Sequence, residues 1–222
     1  MSTATDHRIP YSVKLLYTAF VAIVVPLYWV TYGPWNFLYD CDIALLVTVV
    51  AIWLESPLLV SMQAVAIVVL QTLWVVDLLF LVIGGVEITG VTSYMLNSSI
   101  PLYLRGLSLF HGWLPFFLLW LLARLGYDPR ALAVQTAAGI AILLICYLFA
   151  PAPPPPADDP NHAVNINYVY GFRDSHPQTL MSPWLWLASL IAAHIFLLYI
   201  PTHVVLARLF ANKPANSNQM VR

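Results

Sequence analysis

The chain has 222 residues, 61% of them hydrophobic and only 9% charged, with a formal net charge of −1. Ordinary soluble domains carry about 25% charged residues, so a water-soluble globular fold is excluded, and the charge balance argues against a nucleic-acid partner.

Six apolar stretches follow one another at 11–32, 34–54, 57–84, 101–126, 130–150 and 183–211. Each approaches or exceeds the roughly 20 residues that cross a hydrocarbon core. They are too long and too free of alternation for barrel strands, so the sequence predicts an all-α polytopic bundle of about six transmembrane helices, 1–222 forming one domain. The first run follows Arg8, contains Lys14 and lacks a small-residue cleavage site, which reads as a retained signal anchor. Later helix starts are punctuated by proline. Ser56-Pro57, Asp128-Pro129 and Ser182-Pro183 place a capping side chain before a proline at the first helical position, and Gly33-Pro34 and Ile100-Pro101 offer the proline alone. Pro26, Pro115 and Pro201 fall inside spans and predict kinks. Between the last two spans, 151–182 forms a long loop whose Pro-rich start, 151–156, predicts an extended polyproline spacer. Further along it, Asn165–Gly171 shows strand-like alternation, open to two readings: amides presented to an ester or headgroup, or a turn folding back on the membrane.

With six spans both termini share a side. That side holds Arg8, Lys14, Arg124, Arg130, Arg208, Lys213 and Arg222, whereas the other holds Arg105 and Arg173. The excess of basic residues predicts that both termini are cytoplasmic. In a bacterium the loops at 86–100 and 151–182 would then face the periplasm, and the protein would be a multi-pass protein of the inner membrane.

Ionisable groups within spans are costly and mark functional candidates. Counted from Pro34, Cys41 lies about 10 Å into the second helix; counted from Pro101, His111 lies about 15 Å into the fourth. Both enter from the outer face. A thiol and an imidazole at similar depth form the minimal arrangement for nucleophilic acyl chemistry, although Asp40 and Asp42 beside the sulfur oppose thiolate formation unless His111 or Arg105 compensates. Cys41 also reads as a small buried hydrophobe, His111 as a hydrogen-bonded core histidine, and Asp77 as a structural partner of Arg105. Cys146 reads as structural, and neither cysteine suits a loop disulfide. His194, about 16 Å into the last helix, could approach His111 as a haem ligand. No HxxxH, CxxCH or carboxylate–histidine motif accompanies it, so no cofactor is expected.

The chain resembles the YwaF-like family of bacterial integral membrane proteins, whose eukaryotic relatives include a cysteine-dependent phospholipid acyltransferase. The resemblance rests on Trp35–Leu46, Arg105–Gly112, Asn167–Tyr170 and Ser182–Trp186, in order over roughly 30–210. It implies a compact polytopic fold in which Cys41 accepts an acyl group and His111 acts as base. Two positions depart from the pattern: Tyr39 stands where histidine is often found, and His176-Pro177 replaces a lysine-proline.

The expected function is therefore a lipid acyltransferase or acyl-ester hydrolase. Cys41 and His111 would be catalytic, Asp42, Arg105, Asn165 and Asn167 would bind substrate or stabilise the oxyanion, and membrane lipids would be the partners. The rivals are a non-catalytic subunit of a membrane complex with protein partners, and a haem, quinone or pigment carrier.

Overall fold

The computed structural model describes residues 8–210; Lys213, Arg222 and the last residue of the sixth predicted span lie outside the described residues. Among these residues there is no strand, and the helices make six passes. They are α1 (Tyr11–Tyr32), α2 (Asp40–Leu54), α3 (Pro57–Gly84), a broken fourth pass of α4 (Leu102–Leu107) and α5 (Phe110–Leu125), α6 (Ala131–Phe149), and a last pass of α7 (Pro183–Ala193), a π-helical stretch (His194–Tyr199) and α8 (Ile200–Phe210). Five of the passes are long and apolar enough to cross a membrane. The chain is a multi-pass integral membrane protein.

α2 is the exception in length. The predicted span from 34 to 54 begins instead with a 3-10 turn, Pro34–Leu38, and the α-helix starts only at Asp40, after Tyr39 in an extended conformation. Its 15 residues span about 22 Å. The start is fixed by chemistry at the helix end: Asp40 and Asp42 occupy the first turn, where carboxylates meet the positive end of the helix dipole, and the Asp40 amide donates to Asn167 Oδ1 at 3.0 Å. Cys41 is therefore the second residue of α2, not seven residues inside it.

The passes alternate in direction, and one face collects their near ends. Lys14 Nζ lies 2.7 Å from Glu55 Oε1, Asp128 N donates to Ser61 Oγ at 2.9 Å, and Tyr127 N donates to the Phe210 carbonyl at 3.2 Å. Both ends of the described chain thus lie on one face, and the 33–39, 85–101 and 150–182 segments on the other. Glu55 ties three elements together there, accepting also from the amides of Arg8 and Ile9. Burial works against its charge, but the Lys14 ammonium and the two amides hold its carboxyl below the usual glutamate range. A depressed folded-state value contributes stability above the unfolded value, near 4.3, and loses it as pH falls through the folded value. Thermal melts in detergent should fall more steeply with acidification for the native protein than for Glu55→Gln, and superimposable acid profiles would remove this role.

α3 is the central helix, packed against α2, α5, α6 and the last pass. Its Val60, Ala64 and Ile67 meet Leu114, Leu118 and Leu121 of α5, all fully buried. Lipid provides no hydrophobic drive between helices, so close packing carries the association, and small residues permit it. At Gly139 of α6 a Cβ would come within 2.6 Å of the Tyr199 hydroxyl, which explains glycine at that crossing.

The interior prolines act unequally. α1 and α5 run through Pro26 and Pro115 as continuous helices. Before Pro201, which offers no N–H to the preceding turn, the chain widens into the π stretch, and six residues before Pro115 the fourth pass breaks at Leu109. The Pro-rich run bends at Pro153–Pro154, so it is not one extended spacer.

Candidate functional site

Two cavities open at the end of the bundle opposite Glu55. The larger, about 670 Å³, lies between α3 and the last pass and is walled mainly by aliphatic side chains, among them Ile67, Leu70, Leu73, Leu190 and Leu197. Leu73 and Leu197 are exposed on the surface that faces lipid. The smaller, about 380 Å³, lies among α1, α2, α4 and the loops, and its walls are polar: Tyr28, Tyr32, Asn36, Asp42, Ser108 and Asp174. Tyr39, Cys41, Trp74, His111 and Tyr168 line both. The two spaces therefore adjoin at the thiol and the imidazole.

His111 is held by its neighbours. The fourth pass breaks at Ser108 and Leu109, and the Ser108 carbonyl takes both the His111 amide, at 3.1 Å, and Nδ1, at 2.7 Å. A carbonyl only accepts, so Nδ1 carries the proton and Nε2 the lone pair. Ser108 is itself fixed by the Tyr28 hydroxyl, 2.9 Å from its Oγ. Trp74 stacks on the ring at 5.0 Å between centroids. Cys41 is half-buried in the first turn of α2, its Sγ 3.9 Å from Asp42 Oδ2. Cys41 stands in the first turn of α2 between the carboxylates of Asp40 and Asp42. No hydrogen bond joins Cys41 to His111 among the described residues.

The other expected binding residues are placed differently. Asn165 and Asn167 are buried and turned to the protein: Asn165 Nδ2 donates to the carbonyls of Gly171 and Arg173 and to Asp174, and its Oδ1 accepts from the Tyr170 amide. Asn167 accepts from the Asp40 amide and donates to the Leu38 carbonyl at 2.8 Å. Both have positive φ, 51° and 55°, a conformation asparagine tolerates better than most residues. The 165–171 segment is thus a turn and not a strand, and it clamps the start of α2. Arg105 turns Nη1 to the Met95 carbonyl at 3.1 Å and lines neither cavity. Asp77 does not pair with it; its carboxylate accepts from Thr89 and Thr92 and closes the loop after α3. Asp42 accepts from Asn36 Nδ2 at 3.0 Å and lines the polar cavity. Cys146 is fully buried beside Asn167.

A pairing that the sequence reading did not make joins Asp40 to His194, 3.7 Å between Oδ2 and Nε2. His194 Nδ1 faces the Leu190 carbonyl at 2.8 Å, and the residue lines the larger cavity with His111. The available signal was Pro201, seven residues on, which opens the helix where His194 turns inward. His203 lies on the far face against Tyr127, away from both cavities. Set beside known proteins, the chain matches no family model, no curated protein and no solved structure.

Proposed function

We propose that the protein acts on the acyl group of a membrane amphiphile, as a lipid acyltransferase or acyl-ester hydrolase, with Cys41 as acyl acceptor and His111 as base. One observation carries this reading: an apolar cavity reached from the lipid-facing surface and a polar cavity adjoin at these two side chains. An amphiphile with its chain in the first and its headgroup in the second brings its ester between them.

In the reaction, His111 Nε2 takes the thiol proton and the sulfur attacks the ester carbonyl. The C–O bond breaks, a thioester forms on Cys41, and the departing alkoxide takes the proton back from the imidazolium. A hydroxyl of a second lipid, or water, then attacks the thioester with His111 again as base, and the sulfur leaves with a proton. The oxyanion falls to the first-turn amides of α2, which have no partner within the helix, in place of Arg105, Asn165 and Asn167. Asn167 serves instead by holding the start of α2 in place.

Protein reconstituted with long-chain esters of cationic, neutral and anionic headgroups, each carrying an alkyne-tagged acyl chain, should acquire from at least one of them a label that hydroxylamine removes. Failure to label under conditions where these esters bind would favour a second reading, an amphiphile-binding subunit of a membrane complex. The orientation of the Cys41 thiol toward Asp42 favours that second reading.

Both chain ends are assigned to the cytoplasm and the protein to a bacterial inner membrane, on the distribution of basic residues. Reporter fusions at Asn97 and Asp159 should read outside and a fusion at Arg130 should read cytoplasmic. The reverse pattern would move the site to the cytoplasmic leaflet.

A further inference from the structure

The walls of the polar cavity have a consistent chemistry. Asp42 and Asp174 contribute carboxylates, Tyr28, Tyr32, Tyr94 and Trp74 contribute rings, and no lysine or arginine lines either cavity. Arg105 Nη1 is turned to the Met95 carbonyl. The basic groups at the wall are the imidazoles of His111 and His162. The first has its Nδ1 on Ser108, and the second lies 3.4 Å from Asp159.

Asp42 is the informative member. It is 4% exposed, and Asn36 and the Cys41 thiol both lie against Oδ2, while Oδ1 is buried with no hydrogen-bond donor among the described residues. Burial disfavours an unpaired charge at this place, so a bound cation would supply the partner that the described residues do not. A buried carboxylate oxygen with no donor is among the most costly groups in a folded protein. Here it sits beside a space that a ligand can fill. A phosphate would meet two carboxylates with no cation to offset them. An ammonium group would find a counter-ion and a wall of aromatic rings, the combination that holds quaternary and protonated amines.

We propose that the polar cavity seats an organic ammonium group, with Asp42 as its counter-ion and Tyr28, Tyr32, Tyr94 and Trp74 as its cage. The amphiphile taken at the site is then cationic at its polar end. The inference rests on reading the two cavities as one amphiphile site. It does not depend on whether Cys41 reacts.

Binding of radiolabelled hexadecyltrimethylammonium to the full-length protein in maltoside detergent tests it, with hexadecyl phosphate and hexadecanol as competitors of equal chain length. The cation should bind at least about tenfold tighter than either, the scale of a desolvated cation–aromatic contact. Competition by choline would identify a free organic cation as occupant, and its failure a lipid headgroup; both are ammonium ligands. Asp42→Asn keeps an oxygen for Asn36 and should erase the preference while leaving hexadecanol within about twofold. Leu79→Trp, on the exposed surface of α3 outside both cavities, should keep the preference. Equal binding of cation and phosphate by the native protein, which needs no variant, overturns the assignment but leaves an amphiphile site standing. If none of the three amphiphiles binds, both readings fall. If the native preference survives Asp42→Asn, in a variant whose melting is unchanged, the counter-ion role is wrong.

Discussion

Cys41→Ala should abolish acyl labelling and turnover while leaving the protein folded. The sulfur is half-buried, makes only a long contact to Asp42, and occupies the second position of a helix whose start is fixed by Asn167 and the flanking carboxylates. Removing one atom there costs little packing, about 1 kcal/mol or less. His111 requires a more careful substitution, because its ring also packs against Trp74 and Phe110. His111→Phe keeps a ring in the stack and removes the Nε2 lone pair, and it should slow the reaction by about two to four orders of magnitude, the usual worth of a positioned base. Cys146→Ala is the control and should retain labelling. Full labelling of the Cys41→Ala protein, or a turnover in His111→Phe within a few fold of native, would remove the pair from the chemistry and leave a binding protein.

The passes were legible because their signals are local. Apolar runs near or above the length of the hydrocarbon core, and prolines preceded by serine or aspartate, put the bounds of α1 and α3 at 11–32 and 57–84, as observed. The error at 34–54 has the same origin. A proline at a helix start fits a 3-10 turn as well as an α-helix, and only Asn167, 127 residues away, shows that the α-helix begins at Asp40. Distant partners defeated the site reading in the same way. Asp77 and Arg105 looked like a pair within the membrane because each was a lone charge, yet each turns to the loop after α3: Asp77 to Thr89 and Thr92, and Arg105 Nη1 to the Met95 carbonyl while its Nε stays buried without a partner among the described residues. The amides of Asn165 and Asn167 suggested ligand donors, whereas their positive φ makes them turn residues.

The cavities were not legible at all, since they are made by what fails to meet between helices. Cys41 and His111 had been placed together by matched depth, counted from two prolines. The count fails for Cys41, because α2 starts six residues after Pro34, whereas the fourth pass does start beside Pro101 and breaks just before His111. They nonetheless share two cavities because each stands second in its own helix, at the same end of the bundle. The site is thus a property of helix ends, with free amides and a free carbonyl at hand, more than of depth in a bundle.

Filling the apolar cavity should separate chain recognition from chemistry. Ala193 ends α7, lines the larger cavity and lies next to His194. In Ala193→Trp the indole would occupy space between α3 and the last pass that a long chain otherwise takes. The penalty is not the roughly 0.8 kcal/mol per methylene of transfer from water, because a lipid chain arrives from the bilayer, which is as apolar as the cavity. What remains is overpacking, about 1–3 kcal/mol, or about a fivefold to hundredfold loss for hexadecanoyl donors. A butanoyl ester, too short to reach the blocked region, should react at the native rate. Leu79→Trp, on the lipid-facing surface of α3 and outside both cavities, should change neither. If Ala193→Trp slows both donors equally, the substitution has disturbed His194 or the helix. If it slows neither, the acyl chain lies elsewhere and the larger cavity is not its site.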